Sequence, residues 1–265
     1  MENIFVKEFL NKAPLLLERL KTESEQYWIQ RGESSILKLF REMAERVPAY
    51  KDFLAKHQVN PSAIGTIEDF KKLPLASKEN YLLAYPLKDL CWDGEFKEGR
   101  WIIASTSGST GEPFYFPRTH LQDQQFTLTA ELTLREYFEI DKKSTLFIDC
   151  FALGVWIGGM FMYQAIKNLI EQGNYQLSII TPGADKTETI KAIKGLGPHF
   201  DQVILGGYGP LVKDLIDDGI RQGIDWTQYD MKYFFAAEGF TEGFRDYVGQ
   251  KGGVKNVYTC PLRFS

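Results

Sequence analysis

The first sixty residues carry apolar positions at helical spacing. Leu16, Leu20 and Tyr27 fall on roughly one face, which predicts a first helix. A second apolar stripe has the same spacing and consists of Ile36, Leu37, Phe40, Met43, Ala44 and Val47. Charged residues occupy many of the positions between them. We therefore expect amphipathic helices that bury one face and leave the other in water.

Residues that satisfy or block backbone groups mark the ends of these helices. Ser34 or Ser35 is expected to cap the second helix, and Pro48 is expected to stop it. Thr66 and Ser77 have the side chains and the sequence context of two further N-caps. Together these signals predict a helical N-terminal cap region over residues 1–95.

From Thr119 onward the pattern changes to short apolar runs that alternate with helical segments. After a helix over about 120–139, strands are predicted near 145–150, 176–181, 202–206 and 232–236, and helices near 154–171, 185–195, 208–219 and 240–249. Strands separated by helices of this length imply a mainly parallel sheet with helices on both faces. We expect an α/β region over residues 96–265.

Two predicted strands end in turn residues that suit a ligand site. One strand ends at Thr181-Pro182-Gly183, and the next ends at Gly206-Gly207. In open parallel sheets, ligands bind beyond the carboxyl ends of the strands. The sequence therefore predicts a binding site at this edge of the sheet.

A polar loop precedes the alternating region. Trp101-Ile102-Ile103 is expected to form a buried strand, and Phe114-Tyr115-Phe116 a second strand. Seven of the ten residues of the loop between them, Ala104–Pro113, carry a hydroxyl group or are glycine. Backbone N–H and hydroxyl groups of such a loop can cradle phosphates. An ordinary hairpin connection has the same composition. The loop alone fits both interpretations.

Composition excludes several classes of protein. The 31 basic and 35 acidic residues give a net charge of -4, which argues against a broad nucleic-acid-binding surface. Three cysteines without a CxxC spacing predict neither a disulfide framework nor a zinc site. The chain begins without the pattern of a signal peptide, and the apolar run 150–163 is too short to cross a bilayer. These features favour a cytoplasmic protein without membrane contact.

Other catalytic patterns are not evident in the sequence. His57, His120 and His199 are isolated, so no Ser/His/Asp or Cys/His set can be assembled from spacing. The loop does not match G-x-x-x-x-G-K-[ST], and no G-x-G-x-x-G follows a predicted strand. A P-loop and a dinucleotide-binding fingerprint are therefore not predicted.

The segment Thr106–Pro113 resembles the signature loop of the adenylate-forming enzymes. It is most similar to the branch that contains phenylacetate–CoA ligases and coenzyme F390 synthetase-like proteins. Four further stretches resemble this branch in the same order along the chain: Leu73–Glu79 with Tyr85-Pro86, Asp149–Gly159, Thr181–Gly183 with Gly207-Tyr208, and Ala236–Arg245. The ordered set covers about residues 60–250 and favours the phosphate-cradle interpretation of the loop.

The resemblance implies a reaction and a set of site residues. ATP and a carboxylic acid, aryl or fatty, would give an acyl-adenylate and pyrophosphate, with Mg²⁺ as cofactor, and coenzyme A would then accept the acyl group. The nucleotide site would consist of Thr106, Ser107, Gly108, Ser109, Thr110 and Gly111 at the phosphates, and Ala237, Glu238 and Gly239 near adenine. The acyl group would lie against Phe151, Trp156, Gly207 and Tyr208.

From position alone, some of these residues have simpler interpretations. Phe151 and Trp156 flank an apolar segment, where aromatic side chains are more often part of the core. Glu238 could cap the helix expected to begin near Thr241, since carboxylates are favourable at helix N-termini.

The chain departs from the family's pattern in two places. Glu112 stands where many relatives have lysine, so either Glu112 faces solvent, or Arg118 or a lysine elsewhere supplies positive charge. The family's later YG-x-TE motif and the C-terminal lid domain with its catalytic lysine are not found in this sequence. We therefore assign no catalytic residue and no metal ligand, and we expect the chain to correspond to the N-terminal part of such an enzyme.

Two alternative functions fit the same sequence. The chain could be a non-catalytic nucleotide- or acyl-binding remnant, or a subunit that needs a partner. It could also be an adenylate-forming enzyme with an acceptor other than CoA, as in acyl-protein synthetases and the F390 synthetase-like proteins. If the family's sheet continues beyond residue 250, an exposed strand edge would favour a homodimer.

Overall fold

The structure is a computed structural model that describes residues 8–97, 99–106, 113–235 and 241–254. It divides into two compact units, Met1–Trp101 and Ile102–Ser265. The first unit is helical, and the second contains all the strands of the described residues.

The first unit is built from helices α1 (Ala13–Thr22), α2 (Glu25–Arg46), α3 (Pro48–Lys56) and α4 (Ile67–Phe70). The expected helix start at Ser34 or Ser35 is wrong, because α2 begins at Glu25 and is capped by Ser24, whose Oγ accepts the Tyr27 N–H. Ser35 lies inside α2, where its hydroxyl donates to the Arg31 carbonyl.

The break at Ser24 also corrects the first predicted helix, because it places Leu16 and Leu20 on α1 and Tyr27 on α2. The other predicted boundaries are confirmed. Thr66 and Ser77 each form a capping box, and α2 ends at Arg46, two residues before Pro48, which opens α3.

Aromatic side chains hold the first unit together. Phe40 packs edge-on against Phe70, with ring centroids 5.9 Å apart, and Phe53 packs edge-on against Tyr81 at 5.4 Å. Phe40, Phe53 and Leu54 are fully buried. Phe40 and Ala44 of the predicted apolar stripe therefore enter the core of this unit, whereas Ile36, expected on the same buried face, is exposed.

The second unit contains a four-stranded parallel sheet and a separate hairpin. The hairpin strands are β1 (Ile102–Ser105) and β2 (Tyr115–Arg118), which pair antiparallel. The sheet strands are β3 (Thr145–Asp149), β4 (Leu177–Ile180), β5 (Gln202–Gly207) and β6 (Met231–Phe235), in the spatial order β4-β3-β5-β6. The helices are α5 (His120–Phe138), α6 (Ile157–Gln172), α7 (Lys186–Leu196), α8 (Gly209–Arg221) and α9 (Glu242–Lys251). The predicted α/β fold and the parallel sheet are confirmed.

Strand β3 shows how the sheet is buried on both faces. Leu146 and Ile148 point into a cluster with residues of α7 and α8, whereas Phe147 points into a cluster with residues of α5 and α6. Alternate side chains of a strand point to opposite faces, so helices cover both sides of the sheet, as predicted.

The hairpin differs from its prediction. Ile102 and Ile103 were expected to be buried, but both are exposed, and the buried residues of β1 are Ala104 and Ser105. The second strand begins at Tyr115 and continues to Arg118, because its partners are set by the antiparallel register with β1. An apolar pair in sequence therefore does not identify the buried end of this strand.

Gly219 of α8 provides a test of the packing. A Cβ at this position would lie 2.2 Å from Cζ2 of Trp226, whose indole is buried and donates to the Ile216 carbonyl. Gly219→Ala is expected to lower the free energy of unfolding by about 1–3 kcal/mol because the ring must shift. Urea unfolding measures this change.

Gly195 of α7 is the matched control, since it is exposed and no atom lies within 4 Å of the Cβ position. Gly195→Ala should raise the free energy of unfolding by about 0.5–1 kcal/mol through helix propensity alone. Equal effects of the two substitutions would contradict the packing described for Trp226.

Candidate functional site

The candidate site is built around the turn that follows β3, residues 150–156, which we call the β3 turn. The Cys150 N–H donates to the Gly206 carbonyl at 2.7 Å, and the Gly183 N–H donates to the Asp149 carbonyl at 3.1 Å. The carboxyl ends of β3, β4 and β5 therefore meet at this turn, which is the edge where parallel sheets bind ligands.

The hairpin is attached to the same turn. The Ser105 N–H donates to the Val155 carbonyl at 2.8 Å, and Ser105 forms a parallel β-bridge with Trp156. This bond lies at the loop end of the hairpin, where Ser105 pairs with Tyr115. The base of the Ser/Gly loop and the aromatic segment, which are far apart in sequence, are therefore neighbours.

Thr106 joins the two ends of the loop by hydrogen bonds to Phe114. Its N–H donates to the Phe114 carbonyl at 3.0 Å, and its Oγ1 accepts the Phe114 N–H at 3.2 Å. The loop residues predicted to bind phosphates, Ser107, Gly108, Ser109, Thr110 and Gly111, lie outside the described residues, as does Glu112. The described backbone thus fixes where the loop begins and ends.

The four predicted acyl-site residues separate into two groups. Trp156 and Tyr208 are 38% and 40% exposed and immediately precede α6 and α8. Phe151 is 7% exposed and packs in the core, with its ring 6.4 Å from that of Phe234. Gly207 ends β5 in a closely packed place, since a Cβ there would lie 3.3 Å from the Cys150 Cβ. Trp156 and Tyr208 therefore have surface open to solvent, whereas Phe151 does not.

The predicted adenine-site residues, Ala237, Glu238 and Gly239, lie outside the described residues. The helix that follows them, α9, is capped by Thr241, whose Oγ1 accepts the Phe244 N–H at 3.2 Å. Thr241 is therefore a side-chain cap of α9.

Arg118 is buried and has partners of its own. It pairs with Ile102 at the open end of the hairpin, and its Nε donates to Oδ1 of Asp123 at 3.1 Å in the buried interior. Its guanidinium lies 3.9 Å from the ring centroid of Phe161. Burial lowers the pKa of Arg118. Glu112 lies outside the described residues, so a role of Arg118 as its source of positive charge stays a prediction.

Asp149, the last residue of β3, is a charged group that the sequence patterns did not single out. It is fully buried, its Oδ1 accepts the Phe151 N–H at 3.1 Å, and its Oδ2 has no hydrogen-bond partner among the described residues. Burial raises its pKa to about 7. The available signal was an acidic residue at the end of an otherwise apolar strand.

The remaining candidate residues do not converge on the site. The His57 ring lies against Phe53, His120 opens α5, and His199 ends a short 3-10 helix. Among the described residues, no group of three or more His, Cys, Asp or Glu side chains could hold a metal ion. No helix in the described parts of the chain is long and apolar enough to cross a membrane.

A cavity of about 840 Å³ lies at the opposite ends of the sheet strands. It is lined by the end of α5, the first residues of β6 and residues 253–254. Because the cavity is at the amino ends of the strands, it is separate from the β3 turn and the hairpin.

Comparison with known proteins supports the resemblance seen in the sequence. No protein-family model matches the chain. A phenylacetate–coenzyme A ligase of Thermus thermophilus is 22% identical over 234 residues, which cover 85% of this chain and 48% of the relative. The chain spans about half the length of the curated relative it matches.

Solved structures agree on the fold. A 2-hydroxyisobutyryl-CoA ligase in complex with 2-HIB-AMP and CoA in the thioesterification state superposes with a TM-score of 0.70 at 15% identity, over 89% of this chain and 49% of that chain. An open conformation of that ligase gives a TM-score of 0.66 at 14% identity, over 84% and 52%. The chain has the fold of part of an adenylate-forming ligase, and the expected resemblance to that family is confirmed.

The buried carboxyl of Asp149 predicts a specific pH dependence. In the folded chain its pKa is about 7, raised from 3.8. Between these values the folded state holds a proton that the unfolded state has released, so stability falls as pH rises towards 7 and is level above it. Asp149→Asn should therefore gain stability relative to the parent by roughly 2–3 kcal/mol between pH 5 and pH 8.

Denaturant unfolding of both proteins at pH 5 and pH 8 measures this difference. Asp185→Asn is the control, because Asp185 is an exposed N-cap of α7 and asparagine caps equally well. A stability difference between Asp149→Asn and the parent that does not change with pH would show that Asp149 is not desolvated.

Proposed function

We propose that this chain binds ATP and a carboxylic acid as part of a carboxylate-activating ligase of the phenylacetate–CoA ligase type. The observation that carries the proposal is the junction of Ser105 with Val155 and Trp156. It holds the ends of a Ser/Gly loop beside an aromatic turn at the carboxyl edge of a parallel sheet. A loop that holds phosphates and a surface that holds an acid are required together for adenylation.

The proposed reaction has two steps. A carboxylate oxygen of the acid attacks the α-phosphorus of ATP, and pyrophosphate leaves with the electrons of the broken P–O bond. The thiolate of CoA then attacks the acyl carbon, and AMP leaves. The protein would contribute mainly positioning and charge stabilisation to the first step.

Individual residues have proposed roles in this scheme. Thr106 and the residues from Ser107 to Gly111 would donate hydrogen bonds to the β- and γ-phosphates, and Ala237, Glu238 and Gly239 would contact adenine. Trp156 and Tyr208, whose rings are partly exposed, would line the acid site in front of Phe151 and Gly207. The described residues offer no cluster of ligands for Mg²⁺, so we assign no magnesium ligand to this chain.

ATP–pyrophosphate exchange tests the proposal. The chain is mixed with ATP, labelled pyrophosphate and a panel of aryl and fatty acids, and ATP binding is measured in parallel by calorimetry. Binding of ATP is the expected result, and acid-dependent exchange would show in addition that the chain adenylates an acid. Binding of ATP without exchange would favour the nucleotide-binding remnant, and no binding of ATP would overturn the proposal.

A substitution in the loop tests the proposed phosphate contacts. Thr110→Ala removes a hydroxyl donor and should weaken ATP binding about tenfold, since a hydrogen bond to a charged group contributes about 1.5–3 kcal/mol. Thr187→Ala, at an exposed position of α7, is the matched control and should leave the dissociation constant unchanged. Similar calorimetric titrations for both variants would contradict a role of Thr110 in phosphate binding.

A further inference from the structure

Asp149 leaves one hydrogen-bonding atom unused at the carboxyl edge of the sheet. Its Oδ1 accepts the Phe151 N–H, whereas Oδ2 is buried and has no partner among the described residues. Most buried polar atoms of native proteins are hydrogen-bonded, and one that is not costs stability. The free Oδ2 therefore requires a physical explanation.

The surroundings of Asp149 do not supply a partner. The residue opposite it on β5 is Gly206, which has no side chain, and a Cβ there would lie only 2.7 Å from the Phe147 ring. Phe147 lies two residues before Asp149 and on the same face of β3, in an apolar cluster with Phe151. No ion pair to Asp149 is formed within the described parts of the chain. The carboxyl group thus faces aromatic and aliphatic side chains.

An apolar residue would satisfy this environment better if Asp149 had only a structural role. Groups that reduce stability and break the local pattern are concentrated at functional sites. Asp149 stands at the start of the β3 turn, which carries Trp156 and joins the hairpin. The position of the free oxygen therefore points to a ligand that enters at this turn.

Resting on the proposed function, we propose that Asp149 is a specificity-determining residue for the acid. Its Oδ2 forms a hydrogen bond with a hydroxyl group on the acyl part, so that the chain selects hydroxylated carboxylic acids over their hydrocarbon parents. A hydroxyl group can donate to an ionised carboxylate and accept from a protonated one. The match therefore holds in either protonation state of Asp149.

The β3 turn provides a way for the acid to reach this oxygen. Asp149 is fully buried in the ligand-free chain, so the turn must move when the acid enters. Gly154 has a positive φ of 82° with no atom within 4 Å of the Cβ position, and Val155 beside it is exposed. No side-chain packing at Gly154 opposes this movement, whereas the Val155 carbonyl is held by the Ser105 N–H.

Matched pairs of acids test the proposal by binding and not by turnover. Phenylacetate is compared with mandelate and with 3- and 4-hydroxyphenylacetate, each in the presence of ATP, by calorimetry on the parent chain. At least one hydroxylated acid is expected to bind about tenfold more tightly than phenylacetate, the usual scale for one buried hydrogen bond to a charged group. Asp149→Leu should abolish that preference while phenylacetate still binds.

Two further variants keep the test decisive if Asp149→Leu does not fold. Asp149→Asn retains hydrogen-bonding atoms and should keep the preference, and Asp185→Asn removes an exposed carboxylate at the same edge and should change nothing. Infrared difference spectra add an independent readout. Addition of the preferred acid should shift a carboxyl band in the parent that is absent from Asp149→Asn.

The outcomes separate the two proposals. Equal binding of hydroxylated and parent acids, or a preference that survives in Asp149→Leu, would overturn the role of Asp149 and leave the proposed function intact. In those cases the free oxygen is satisfied by water alone. Failure of every acid to bind in the presence of ATP would overturn both.

Discussion

The candidate site depends on how the backbone at the end of β3 satisfies its hydrogen-bonding groups away from water. An N–H or C=O group without a partner is costly in a buried place, so each must find one nearby. The Cys150 N–H bonds to Gly206, and the Asp149 carbonyl bonds to Gly183. The Val155 carbonyl then accepts from Ser105 of the hairpin. Three bonds thus bring the ends of three sheet strands and the Ser/Gly loop to one place.

The described interior holds an ion pair and an unpaired carboxyl, which differ in how the cost of burying them is compensated. Arg118 and Asp123 form a buried ion pair that fixes the open end of the hairpin against α5, while Phe161 of α6 covers the guanidinium. Loss of either partner would leave an uncompensated charge, which is the larger penalty for such pairs. Asp149 has no such partner among the described residues, and its burial raises its pKa. The ion pair is thus compensated by opposite charge, whereas the carboxyl of Asp149 has a single backbone N–H within the described chain.

The comparisons and the geometry support different levels of the functional argument. The likeness to CoA ligases covers most of this chain and about half of theirs, and it establishes the fold. A fold alone does not specify an activity, so the proposed ATP and acid binding stands on the junction of the hairpin with the β3 turn. The proposed preference for a hydroxylated acid stands on Asp149, whose Oδ2 has no hydrogen-bond partner among the described residues.

The sequence by itself determined the class of the fold and the order of its elements. Apolar runs such as Thr145–Asp149 and helical stripes such as that of α2 report local periodicity, which a strand or helix must satisfy wherever it packs. Only the tertiary structure decided which ends are buried and which side chains meet. Antiparallel register pairs Ile102 with Arg118 at the open end of the hairpin, where the apolar residue is exposed and the charged one is buried. Ser105 and Trp156 become neighbours through a backbone hydrogen bond between segments far apart in sequence. Asp149 is desolvated by residues from other strands and helices. A local sequence pattern contains neither of these long-range contacts.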